Sequence, residues 1–342
     1  MPVTVDRPVQ NPAEFFGRSQ QITQIFRHLQ SFTTRSIGIV GLPFAGKTSL
    51  ARHICHPAVA VRHLHSPEWY HIINMNMATC PSRSMFYYRI MANLRRFFGE
   101  VQPNMLWKPS RPNETNICDL ETLLCRFPNY RLVLVLDNFE QRNPEQFGHQ
   151  FLLDLQSLMR VSEYQVAMVM VVRPNALLRP TWLEMLQPEL VCLGGLETAV
   201  ANQFLSYTAM GLGVPLGADA QTAVRQLAGG IPYVLKLTVL YWLTHQIPDP
   251  QNPPASLLGK LAPLYSSWYA QLTPAQQQCL LQWSQQTPGC LVESNEMLGM
   301  LGLAYAPGHT LHHAGDLFFH WLRQEREPHL MLGSYSATYP AL

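Results

Sequence analysis

Residues 41–48 read GLPFAGKT and satisfy G-x-x-x-x-G-K-[ST] at every specified position: Gly41, Gly46, Lys47 and Thr48. The apolar run SIGIV (36–40) precedes the motif and the helix-forming SLARHI (49–54) follows it. Strand, glycine loop and helix are the order in which this motif works. The loop wraps backbone N–H groups around a phosphate chain at a helix N-terminus, where the helix dipole favours negative charge. Lys47 is placed to reach the β- and γ-phosphates, and the Thr48 hydroxyl to hold Mg²⁺. Ser49, next along the helix, completes the candidate phosphate-binding set. The chain is expected to bind a nucleoside triphosphate.

A strand that opens such a loop needs parallel neighbours, and the sequence supplies them. Segments 70–75 (YHIINM), 131–136 (RLVLVL), 165–172 (QVAMVMVV) and 190–193 (LVCL) read as strands. Segments 131–136 and 165–172 are continuously apolar, as strands covered on both faces are. A helix at 19–30 with periodic Ile22, Ile25, Phe26 and Leu29 and another at 85–98 alternate with them. This pattern predicts an α/β domain with a parallel sheet. Residues 100–116 are polar and Pro-rich and read as a loop.

From about residue 197 the pattern turns helical, at 197–210, 218–228 and 232–245. The stretch 246–256 (IPDPQNPPASL) is a Pro-rich break suited to a domain boundary. Beyond it, helices are expected at 258–271, 273–285 and 315–325. A short hairpin is expected to begin at LGMLGL (298–303) and to turn at Pro307-Gly308, the pattern of a winged helix. The expected division is an extended segment at 1–12, the nucleotide-binding domain at 13–194, a helical lid at 195–247, a winged-helix domain at 256–326 and a tail at 327–342.

A phosphate loop alone does not separate kinases from GTPases and ATPases. LVLVLDNFE (132–140) narrows the choice, because an apolar strand that ends in Asp137 places a carboxylate where it can hold the Mg²⁺ shell opposite Thr48. In hydrolytic relatives a second acid follows at once and polarises the attacking water. Here that place is Asn138, and an amide cannot accept a proton as a carboxylate does. Glu140, two residues on, is the candidate substitute base. Slow turnover with good ATP binding is expected, and Asn138→Glu is expected to raise activity. Arg173, just after the strand 165–172, stands where a sensor residue would stabilise charge on the γ-phosphate.

The motif order resembles that of STAND-class signal-transduction ATPases and related AAA+ proteins. NPAEFFGR (11–18) is similar to their F-x-GR entry segment, which in the family lies near the adenine and so implicates Gly17 and Arg18. GLPFAGKTSL, LVLVLDNFE and the VVRP strand end resemble the Walker A, Walker B and arginine-sensor motifs in succession. GGIPY (229–233) is similar to the GxP motif of the lid, whose proline touches adenine, which implicates Pro232. WYAQLTPAQQQCLLQW (268–283) and the segment 298–324 resemble the winged helix of bacterial AAA-like STAND proteins. The resemblance implies a P-loop domain of the additional-strand (ASCE) type, a lid and a winged helix. In the family a winged-helix histidine senses the β-phosphate of ADP. The nearest matches are His312 and His313, with the following aspartate displaced to Asp316.

If the resemblance holds, the chain is an ATP-binding switch. It would cycle between ATP and ADP with Mg²⁺, act as a weak ATPase at most, and self-assemble as a homo-oligomer or recruit a separately encoded protein partner. A role in bacterial signalling or defence follows from the same resemblance. The second reading is a DNA-associated AAA+ ATPase of initiator or transposition-helper type. Charge disfavours nucleic acid: the net charge is only +2, and from residue 256 onward the sole Lys or Arg residues are Lys260, Arg323 and Arg326. A domain that grips phosphates is more basic than that.

The remaining composition excludes other classes. Charged residues make up 13% of the chain, a low share that suits interfaces. No run of about 18 apolar residues spans a membrane, and the N-terminus lacks the apolar core of a signal peptide. Seven scattered cysteines without a C-x-x-C pair argue against a disulfide framework or a zinc site. A reduced, cytoplasmic location is expected. His53, His56, His63 and His65 have spacings a metal could use, but no supporting ligand pattern accompanies them.

Overall fold

The computed structural model describes residues 7–31, 36–101, 111–161, 165–178, 180–245, 254–284, 292–303 and 314–334. Five strands form one parallel sheet: β1 (Ser36–Gly41), β2 (Tyr70–Asn76), β3 (Arg131–Asp137), β4 (Gln165–Val172) and β5 (Glu189–Leu193), in the order β2-β3-β4-β1-β5. β1 and β3 are buried at every position, as their unbroken apolar runs require, while the edge strands β2 and β5 carry exposed residues. β4 lies between β1 and β3, so the glycine loop after β1 and Asp137 at the end of β3 face each other across one intervening strand. The C-terminal ends of parallel strands are where such sheets bind ligands.

Helices α1 (Ser19–Gln30), α2 (Lys47–Ile54), α3 (Pro57–His63), α4 (Arg83–Val101), α5 (Ile117–Leu124), α6 (His149–Arg160) and α7 (Pro180–Leu186) accompany the sheet. α1 buries the four residues its 3.6-residue period marks: Ile22, Ile25, Phe26 and Leu29. Its C-terminal end is tied to the sheet by Arg131, whose Nη1 donates to Leu29 O and whose Nε donates to Gln165 Oε1 at 2.9 Å. α5 begins with a capping box, in which Asn116 accepts from Cys118 N and Asp119 N and Asp119 accepts from Asn116 N.

Three helices follow the sheet: α8 (Thr198–Gly211), α9 (Ala218–Ala228) and α10 (Pro232–Thr244). Pro232 opens α10, where its missing N–H costs nothing. Four more follow: α11 (Ala255–Tyr269), α12 (Pro274–Ser284), α13 (Val292–Met300) and α14 (Asp316–Ser334). α12 starts on a reciprocal cap, Thr273 N to Gln276 Oε1 at 2.9 Å and Gln276 N to Thr273 Oγ1 at 3.2 Å. Tyr265 and Trp268 of α11 pack on Phe318 of α14, with ring centroids 5.3 and 5.9 Å away.

Two expectations need correction. Residues 298–303 do not form the first arm of a hairpin: Leu298, Gly299 and Met300 end α13, and Gly302 follows at φ 75°. An apolar run of six does not distinguish strand from helix, and Gly302 marks a helix end rather than a strand turn. The turn expected at Pro307-Gly308 lies outside the described residues. Cys279 is disulfide-bonded, whereas Cys55, Cys80, Cys118, Cys125 and Cys192 are free. Linear spacing is blind to such a bond, because pairing depends on how the fold orients the two Cβ atoms. Among the described residues no helix is long and apolar enough to cross a membrane.

The glycine-loop cleft as candidate nucleotide site

A cleft of about 290 Å³ opens over the glycine loop. Pro43, Phe44, Gly46, Lys47, Thr48 and Ser49 form its floor, Asn138 and Arg173 one wall, and Phe204, Pro232, Tyr233 and Lys236 of α8 and α10 the other. Arg7, Pro8 and Val9 complete the rim, fixed by a hydrogen bond from Val9 N to Ser49 Oγ at 3.1 Å. Residues far apart in sequence thus converge on one loop. Gly46 takes φ 96°, and a Cβ placed there would meet nothing within 4 Å, so the floor is open where a phosphate would lie.

Lys47 Nζ donates to Gly41 O at 2.8 Å and to Leu42 O at 2.9 Å. Burial lowers its pKa to about 8. Glu140 and Asp137 partly counter that shift, while Arg173 adds to it. A buried ammonium poised near neutrality, beside an open loop, is chemically suited to gain an anionic partner.

Asp137 ends β3 almost wholly buried and accepts from Asn138 N at 3.0 Å. Asn138 is left-handed at φ 54°, a conformation Asn tolerates better than Glu. Its Nδ2 donates to Asn76 Oδ1 at 3.1 Å, and Asn76 is the β2 residue in register with Asp137. The turn after Asn138 is anchored by Phe139, fully buried against Trp182 and covered by Arg142 at 4.3 Å. That anchor carries Glu140 to Arg173: Arg173 Nε lies 3.3 Å from Glu140 Oε1, while Glu140 Oε2 is buried without a hydrogen-bond partner. A carboxylate with one buried, unused oxygen, close enough to shift the pKa of Lys47, is equipped to accept a proton or order a water.

Gly17 and Arg18 stand behind the loop. Gly17, at φ 68°, has no room for a Cβ, which would lie 2.6 Å from Val200 of α8. The Arg18 guanidinium donates to Gly194 O at 2.6 Å, to Gly195 O at 3.2 Å and to Ala45 O of the loop at 3.2 Å. Burial pulls its pKa down to about 10, with Glu197 acting the other way. His312 and His313 lie outside the described residues. Several cleft residues escape sequence reasoning. Phe44 occupies an unspecified motif position, yet its ring sits 4.4 Å from that of Tyr233. Lys236 reads as one cation in an apolar helix; Trp268, which reads as ordinary core, lies outside the cleft and donates to Pro43 O of the loop at 3.0 Å. Among the described residues no group of three or more His, Cys, Asp or Glu is placed to hold a metal ion.

No protein-family model matches the chain, and no curated protein matches it in sequence. Solved structures do match in fold. A Walker-type ATPase of Pyrococcus abyssi superimposes with a TM-score of 0.62 at 12% identity, over 93% of this chain and 99% of that one. The ORC2 protein of Aeropyrum pernix, solved in ADPNP and ADP complexes, gives 0.48 at 14% identity, over 94% and 88%. Cdc6p from Pyrobaculum aerophilum gives 0.45 at 13%, over 95% and 88%. The first superposition shows a shared fold: this chain has the α/β architecture of Walker-type P-loop ATPases.

Proposed function

We propose that the chain is an ATP-binding, slowly hydrolysing AAA+-like ATPase that works as a nucleotide-controlled switch, in the manner of STAND proteins. The observation that carries this reading is the cleft itself. Lys47 and Thr48 from the P-loop, Arg173 from the end of β4, and Tyr233 and Lys236 from α10 line one cavity. A nucleotide there would touch the sheet domain and the α8–α10 helices together. Its γ-phosphate could therefore favour one arrangement of the two over another.

The residues fit Mg²⁺-ATP. Thr48 and Asp137 are the metal-side candidates, and bound Mg²⁺ would neutralise charge on the phosphate oxygens. Lys47 would exchange its bonds to Gly41 O and Leu42 O for the phosphates. Arg173 would turn from Glu140 to the γ-phosphate, and Glu140 would then order the water. Asn138 has its amide committed to Asn76 and cannot take a proton, which supports slow turnover. The reading is tested by titrating ATP and ADP and by size-exclusion chromatography of wild type and Lys47→Ala with each nucleotide. Binding abolished by the substitution, and an oligomer size that follows the nucleotide, are expected. Identical profiles in all conditions would remove the switch.

A nucleic-acid-associated ATPase is the second reading, favoured by one charge feature. Residues 15–67 contain no Asp or Glu, and Arg27, Arg52 and Arg62 in that stretch are exposed. A duplex-binding titration at several salt concentrations tests it: affinity that falls steeply with salt supports this output, and no binding at low salt removes it.

A further inference from the structure

The P-loop is held from outside by two side-chain donors, Arg18 and Trp268, and the second belongs to no nucleotide-binding motif. Trp268 Nε1, from α11, donates to Pro43 O at 3.0 Å, and Arg18 donates to Ala45 O. All described peptide bonds are trans. In a trans peptide the C=O and the following N–H point in opposite directions. Fixing Pro43 O outward therefore fixes Phe44 N–H inward, and fixing Ala45 O does the same for Gly46 N–H. Phe44 and Gly46 both line the cleft. Phe44 is also the loop's left-handed non-glycine residue, at φ 64°, a geometry that needs support from its surroundings.

Both donors are tied to the C-terminal helices. Trp268 is fully buried among Tyr265 and Phe318. Arg18 holds Gly194 O and Gly195 O, and the turn after α13 presses on these same two glycines. A Cβ on Gly194 would lie 2.8 Å from Met300 O and 3.0 Å from Gly302 N, so only glycine allows the contact.

We propose that Trp268 is a positioning residue of the nucleotide site. By orienting the Pro43–Phe44 peptide it makes P-loop geometry depend on the docking of α11–α14. Nucleotide affinity and docking are then one linked equilibrium, and each must strengthen the other by the same factor. This rests on the cleft being a nucleotide site.

Trp268→Phe keeps an aromatic ring and removes the donor. Phe318→Leu disturbs the same aromatic cluster and leaves the donor in place. Fluorescent-ATP titration and thermal unfolding are measured on both and on wild type. Both variants are expected to melt earlier; Trp268→Phe should bind ATP more weakly by roughly tenfold, and Phe318→Leu, which loosens the helices but keeps the donor, by a smaller factor. In wild type, ATP is expected to slow amide exchange in segments 264–272 and 298–303, a measurement that stands even if Trp268→Phe does not fold. Equal affinities for Trp268→Phe and wild type, equal weakening by Phe318→Leu, or exchange in those segments indifferent to ATP would each overturn the proposal. A wild-type chain that binds no nucleotide would instead defeat the reading of the cleft, and this proposal with it.

Discussion

Arg173 and Glu140 face each other across the ends of β4 and β3, with Nε 3.3 Å from Oε1. The carboxylate is nine-tenths buried and the guanidinium more than one-third exposed. The partner that can turn away is therefore the arginine, toward the cleft it already lines. Its departure would leave a buried carboxylate beside Lys47 with Oε2 unused and Oε1 held only by Gln141 Nε2 at 3.4 Å.

Glu140→Gln is expected to lower single-turnover ATP hydrolysis by about 10²-fold, because the amide can no longer accept a proton. ATP affinity should be unchanged or tighter, since Arg173 is released from its pair. Radiolabelled phosphate release and a binding isotherm on the same preparation separate the two effects. An unchanged rate would show that Glu140 is only a partner for Arg173.

The lowered pKa of Lys47 gives nucleotide binding a pH signature. Free, the ammonium loses its proton near pH 8. Bound phosphates favour the charged form and raise that pKa. Affinity is therefore complete below pH 8 and falls as pH rises through it, and binding at pH 8.5 takes up protons. Calorimetry in two buffers of different ionisation enthalpy measures this uptake directly. Lys47→Arg, which stays charged, should abolish the uptake whatever affinity it retains.

Arg131 is expected to matter for stability and not for nucleotide. It is buried, bonds Leu29 O at the end of α1 and Gln165 on β4, and lies over the Tyr70 ring at 5.6 Å. Arg131→Ala strands those acceptors in the interior and should cost about 3 kcal/mol in urea-unfolding free energy. ATP affinity of the folded fraction should not change.

The sheet domain was legible in the sequence for a physical reason. β1, β3 and β4 are buried on both faces, so their central residues are apolar, and the glycines and charges of the motifs lie at or just beyond their C-terminal ends. α1 was equally visible through the 3.6-residue period of Ile22, Ile25, Phe26 and Leu29. The segment 298–303 was misread because a short apolar run suits helix end and strand alike. Phe44, Tyr233 and Trp268 gave no warning, since an aromatic residue in sequence does not say whether it packs in a core or against a loop.

Local chemistry alone determined the P-loop at Gly41–Thr48, the acid at Asp137 and the parallel sheet that displays them. Backbone donors, strand patterning and a helix N-terminus are properties of contiguous residues. The tertiary structure decided which groups share the cleft with Lys47, that Glu140 is paired with Arg173, that Asn138 is committed to Asn76, and that a tryptophan 225 residues along the chain grips Pro43. Those are contacts between distant segments, fixed by how the core closes and not by any pattern along the chain.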